Sequence, residues 1–226
     1  MILVVRKRTP AARAGFVNKW AWFCRVGVAL WLLGLSLPPT IHGAYVTDAP
    51  PPEALVAQMR EAFARLNDYT CRLVERSFKR PDEFSESDYA FKKPRLMKLV
   101  GRAGRSQGAV VVLGRDGKPR LRKNGFPVPA FLARAELHDF THSDFGSLID
   151  EIARLMADGA EASVVVQGDA YVLRLARGRN VRLYSVDAKL GLPIELVEIE
   201  DGVRVGLTEW RDLRLNVGLT EDMFRP

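Results

Sequence analysis

The chain has 226 residues, 47% of them hydrophobic, and a formal charge of +7, which is enough material for one good-sized core or two small ones. The charge is unevenly placed: Arg6, Lys7, Arg8, Arg13, Lys19 and Arg25 lie in residues 1–44, where no acidic residue occurs, which leaves 28 basic and 27 acidic residues beyond position 44. That near balance argues against a nucleic-acid partner, whose binding needs a basic face on the folded domain.

Residues 1–44 have the order of a secretory signal, a long basic region followed by the apolar run Val26–Leu37 and then Pro38-Pro39. The run is shorter than a membrane span, and cleavage is expected near Ala44. Retention as a single anchor, with Trp20, Trp22 and Trp31 near the lipid boundary, is the alternative, and either reading exports the remainder to the periplasm. Cys24 precedes the apolar run, so it is not the cysteine of a lipid-modified N-terminus. Cys71 alone remains beyond the leader, so it has no internal disulfide partner and is expected as a buried core residue. The domain plan is a signal peptide over 1–44 and a single domain over 45–226.

Pro50-Pro51-Pro52 opens the domain and a helix follows, with Leu55, Met59, Ala62, Phe63 and Leu66 on one apolar stripe. Asn67-Asp68 stops it. The stretch Tyr69–Val100 reads as two extended strands joined by a polar link, Lys79–Ser87. Tyr69, Cys71 and Leu73 share one face, Arg72 and Arg76 the other, and Pro94 interrupts the second strand. A basic loop with Arg102 and Arg105 follows, then a buried strand, Ala109–Leu113. Asp116-Gly117 and Asn124-Gly125 bracket a short charged strand around Leu121. Pro129 is expected to open a short helix through Leu137. With Phe131, Leu132 and Ala135 apolar, the segment 126–137 reads as a movable cover or as a plain connector. A helix capped by Thr141 or Ser143 runs to Ala157, with Phe145, Leu148, Ile149, Ile152, Leu155 and Met156 on a wide apolar face and Gly159 as its stop. From Ser163 onward, five strands with short connections predict an antiparallel meander ending in Val203–Leu215, which holds Trp210.

His138, Asp139, His142 and Asp144 form the best polar cluster, but their spacing matches no helical zinc motif. No serine elbow, phosphate loop or paired-carboxylate signature occurs, so the expectation is a protein that is not an enzyme, with no catalytic residues, metal or cofactor.

Three groups of residues carry a family resemblance: LNDYTCRLVER with FKKPRLMKL between Leu66 and Leu99, FGSLIDEI from Phe145, and Tyr184–Asp187 with LGLPIE and the closing WRDLRLNVGLTEDMF. On these the chain resembles a secreted DUF1571-like family of unknown function whose fold is similar to that of the periplasmic lipoprotein carriers LolA and LolB. The resemblance implies an α+β fold, a strongly curved antiparallel sheet forming an incomplete β-barrel covered by two or three helices, with an apolar cavity between. It implies a lipid, acyl-chain or lipoprotein ligand. Of the carriers' lipoprotein-release arginine it offers only Arg72, in a similar strand region. The ligand-lining candidates are Leu73, Phe91, Met97, Phe131, Phe145, Ile149, Ile152, Leu173 and Trp210. The mature domain is expected to be soluble, with membrane association as the alternative. An envelope sensor or structural domain that binds a protein partner is the competing function.

Overall fold

The computed structural model describes residues 49–80 and 83–225. The expected signal segment, 1–44, lies outside the described residues. Helix α1 (Pro52–Ala64) starts on its own proline, and buries Leu55, Val56, Met59 and Ala62. Its C-terminal carbonyls have a partner from elsewhere in the chain: Lys93 Nζ donates to the carbonyls of Phe63 and Ala64, both at 2.9 Å. A cation placed there also opposes the helix dipole.

Strands β1 (Asp68–Ser77), β2 (Phe84–Lys92) and β3 (Leu96–Gly104) follow. The polar link is therefore shorter than expected, and Pro94 does not merely dent one long strand. It sits in a turn that splits the strand into β2 and β3, which then pair with each other. A proline lacks the donor that the ladder would need at that position. Strands β4 (Ala109–Leu113), β5 (Pro119–Lys123) and β6 (Phe126–Val128) complete a first meander. The expected helix from Pro129 divides in two, a single 3₁₀ turn (Ala130–Leu132) and helix α2 (Arg134–Thr141). Helix α3 (Phe145–Ala157) is capped by Asp144, whose carboxylate accepts from the Ser147 amide at 3.1 Å, rather than by Thr141 or Ser143. Strands β7 (Glu161–Gln167), β8 (Ala170–Arg177), β9 (Asn180–Asp187), β10 (Pro193–Glu200) and β11 (Val203–Leu215) form the second meander.

The two meanders join through β1 and β11, whose register sets Leu73 opposite Trp210. All eleven strands then make one antiparallel sheet in the order β6-β5-β4-β3-β2-β1-β11-β10-β9-β8-β7. The strongly curved, incomplete barrel expected from the sequence is thereby corrected. The order is linear, and among the described residues β6 and β7 are free edges that do not pair with each other. The reason lies in the connection between those edges. It is built of α2 and α3 rather than a tight turn, and the helices cover the apolar face that closure would otherwise have to hide.

The main core lies on that covered face. Tyr69, Cys71 and Leu73 from β1 meet Tyr89 and Phe91 from β2, Met97, Val111 and Leu113 further along, and Leu173, Leu175, Tyr184, Val186 and Trp210 from the second meander. Helix α1 contributes Leu55 and Met59, and α3 contributes Phe145, Leu148, Ile149 and Ile152. On the opposite face the C-terminal tail makes a smaller cluster, where Leu219 and Phe224 pack on Leu96 and Val112. The tail is pinned by Asp68, which is buried. Its carboxylate accepts from the amides of Gly218 and Leu219 at 3.2 and 3.1 Å, and its carbonyl accepts from Asn216 N at 2.8 Å.

Candidate functional site

Eight of the nine ligand-lining candidates are brought together. Leu73, Phe91, Met97, Phe145, Ile149, Ile152, Leu173 and Trp210 all belong to the single cluster between the helices and the sheet. At its centre is an aromatic stack. The Tyr69 ring lies 4.7 Å from Phe145, 5.1 Å from Phe91 and 5.9 Å from Tyr89, and Phe145 lies 5.7 Å from Trp210. Offset rings at such spacings add attraction beyond the area they bury. The chain achieves this locally because Phe145 is the first residue of α3 and Gly146 follows it. An added Cβ at Gly146 would stand 2.6 Å from the Phe63 ring of α1, so only glycine lets the two helices approach as they do.

The ninth candidate, Phe131, is elsewhere. It is 70% exposed and its neighbour Leu132 is 67% exposed. The segment expected as a cover reaches the core through Ala133 and Leu137 instead, and Phe140, just beyond it, joins them. Arg72 also lies away from the interior, on the opposite face of β1, between Glu86 at 3.5 Å and Asp212 at 3.6 Å.

Two grooves stand out on the surface of the described residues. The first, about 390 Å³, lies where the C-terminal part of α3 leaves the ends of β8, β9 and β10 uncovered. Leu155, Ala160, Leu175 and Ala176 give it an apolar wall; Arg182, Glu198, Glu200 and Lys79 give it a charged one. Leu175 belongs to the main core and Leu155 packs against it, so the groove's apolar wall is continuous with the interior. Its volume falls in the range of small-ligand sites. The charges are paired among themselves. Arg182 reaches Glu151 of α3 at 2.6 Å and Glu198 at 3.5 Å, and Lys79 holds Glu200.

Just inward, Tyr184 is fully buried, and its hydroxyl makes no hydrogen bond of good geometry among the described residues although the Arg182 guanidinium lies close to it. Burial pushes the phenol up to about 12, partly opposed by the Arg182 charge. The sequence pattern does not reveal this group, because alternation in the strand sets Tyr184 with Arg182, opposite Val181 and Leu183, and so reads as the outer face.

The second groove, about 610 Å³, is lined by Pro94, Arg95, Leu96, Leu113, Gly114, Arg115, Gly117, Thr141, His142 and Glu221. His142 is the one member of the polar cluster that reaches it. The His138 and His142 rings lie 4.6 Å apart, whereas Asp144 is buried and turned to α3, accepting from Ser147 Oγ at 2.6 Å. The four residues do not converge, and among the described residues no group of three or more His, Cys, Asp or Glu could hold a metal ion. Burial pushes the Cys71 thiol up to about 12, so it stays protonated and inert near neutral pH. Arg102 and Arg105 of the basic loop are held by Asp88 and Glu83.

Among the described residues no helix is long and apolar enough to cross a membrane. No family model matches the chain, so the narrower DUF1571-like resemblance gains no support. No curated protein matches it either. Solved structures do. The crystal structure of MucB is similar over 77% of this chain, with a TM-score of 0.53 and 18% identity. The chain spans 62% of the length of that structure. A LolA-superfamily protein from Nitrosomonas europaea matches over 79% of this chain and 99% of its own, at TM-score 0.42 and 10% identity. The Mycobacterium tuberculosis lipoprotein LppX matches over 75% and 99%, at TM-score 0.42 and 12% identity. The chain is similar in fold to MucB.

Proposed function

We propose that the chain is an exported binding or carrier protein of the cell envelope that holds an acyl chain, or another apolar ligand of similar girth, between its helices and its sheet. It is a binding protein rather than an enzyme. In this reading residues 1–44 are the signal, the domain over 45–226 works in the periplasm, and the ligand is a lipid or the acyl part of a lipoprotein. The observation that carries the proposal is the first groove: an apolar wall continuous with the interior, opening to solvent beside a charged rim. An acyl chain would enter along Leu155 and Leu175 toward Ile152 and Leu173. Its polar end would stay at Arg182 and Glu198, with the Tyr184 hydroxyl available as a donor. The fold likeness to MucB supports the architecture and says nothing of the cargo.

The test is uptake of a fluorescent fatty acid by the protein and by a Leu155→Arg variant, which sets a charge across the groove without touching the stacked aromatics. The reading requires saturable uptake that the variant loses. A protein that takes up no fatty acid, or a variant that takes it up as well, contradicts it.

A second reading rests on β7. It is a free edge with Val165 and Val166 exposed, and an edge strand offers unpaired backbone to a protein partner. Cross-linking through residues placed on β7 in cells would recover that partner. Recovery of none would leave the carrier reading alone.

A further inference from the structure

Phe126, Phe131 and Leu132 are 76, 70 and 67% exposed, and all three lie at one free edge of the sheet, on β6 and the 3₁₀ turn after it. Isolated exposed apolar side chains are ordinary, but three bulky ones at one edge are not. Their surroundings are equally unusual. Residues 117–135 hold Lys118, Arg120, Arg122, Lys123 and Arg134 and no acidic residue. Removing those five from the 28 basic residues beyond position 44 leaves 23 against 27 acidic, so the rest of the domain is net acidic. Register places Lys123 opposite Phe126, on the same face and one strand spacing of about 5 Å away, and sets Arg122 opposite Pro127 on the other face of the same edge. Arg120 is held by Asp116. Lys123 donates only to the carbonyls of Arg105 and Gln107, and among the described residues no carboxylate pairs with Lys123 or Arg122.

We infer that this edge is a docking surface for an anionic lipid bilayer. Phe126, Phe131 and Leu132 enter the head-group region and the β5 cations face the anionic phosphates. An apolar insertion flanked by unneutralised Lys and Arg is the chemistry that peripheral membrane attachment requires, because neither the apolar burial nor the charge attraction suffices alone. A protein partner would be served by the apolar trio without a one-sign surround. The acidic balance of the remaining domain orients the molecule with this edge toward the membrane. The inference goes beyond ligand carriage, since it concerns a different surface from the groove at α3.

The test uses the exported form recovered after expression of the full chain, sedimented with vesicles of phosphatidylglycerol and phosphatidylethanolamine in equal parts, and with vesicles of phosphatidylcholine alone. The expected result is binding to the anionic vesicles only, weakened by added salt. Phe131→Ser with Leu132→Ser, both at exposed positions, should raise the lipid needed for half-binding by at least about tenfold. Arg122→Glu should do so by a similar factor, since it reverses one charge where each contributes roughly fivefold. Circular dichroism establishes that the variants are folded. Fatty-acid uptake measured on the same samples separates the two claims, because the variants should keep uptake while losing vesicle binding. Equal binding to both vesicle types, wild-type affinity in either variant, or no sedimentation of the wild type would overturn the inference. So would a concentration-dependent dimer, seen without lipid and abolished by the double variant, because the trio would then be a contact between two copies of the chain.

Discussion

Tyr184→Phe isolates the buried phenol beside the first groove. At neutral pH the hydroxyl is uncharged, and an unpartnered buried hydroxyl costs about 1–3 kcal/mol of desolvation. Removing it also leaves a void the size of one oxygen, so the net effect near pH 7 should lie between zero and about 2 kcal/mol of stabilisation. Alkali gives a second, independent sign. The phenol titrates at about 12 in the folded protein against an ordinary value of 10.0. A raised folded value means that the contribution is intact below pH 10 and is lost as pH rises through 12. At about pH 11 the unfolded phenol is mostly ionised and the folded one is not, which costs the wild type about 1.4 kcal/mol. The full loss above the folded value is about 3 kcal/mol. Phenylalanine has no proton to lose, so the variant should decline less between those limits. Urea denaturation of both proteins near neutrality and near pH 11 measures each term. A variant destabilised by more than about 1 kcal/mol at neutral pH would show that the hydroxyl is hydrogen-bonded after all. Parallel alkaline declines would show that the phenol is not shielded.

Asp68→Ala should cost about 3 kcal/mol, because the amides of Gly218 and Leu219 lose a charged acceptor in a buried site, and should speed proteolysis of the tail. Thermal melts with limited proteolysis check both effects. Gly146→Ala should cost about 1–3 kcal/mol through overpacking against the Phe63 ring, and Phe63→Leu should recover part of the loss, as measured in a double-mutant cycle. Cys71 should resist iodoacetamide in the native protein near pH 8 and react freely in urea, since its thiol is buried and titrates at about 12; rapid native labelling would contradict its placement.

Much of the strand plan was legible because it is written locally. Asp116-Gly117, Asn124-Gly125, Gly168-Asp169 and Asp201-Gly202 mark tight turns, and the alternation between them gives the strands. Two features that local pattern does not carry are non-local. Asp68 reads as a helix stop because its partners are 150 and 151 residues away. Whether a sheet closes depends on β6 meeting β7, and no pattern within either strand encodes that. The interior residues were found by their periodicity, which is why eight of the nine fall in one cluster. Phe131 was misplaced by the same reasoning, since a short apolar triplet has too few turns to show which side faces inward. Periodicity also cannot distinguish a residue that fills a core from one that lines a ligand, because both occupy the same face.

That distinction is the central claim, and native mass spectrometry of the protein released gently from the periplasm tests it most directly. The account predicts a population carrying an additional mass in the range of a lipid or fatty acid, released by activation in the gas phase and displaced in solution by a fluorescent fatty acid. A single ligand-free mass from every preparation, together with no uptake of the fatty acid, would contradict it.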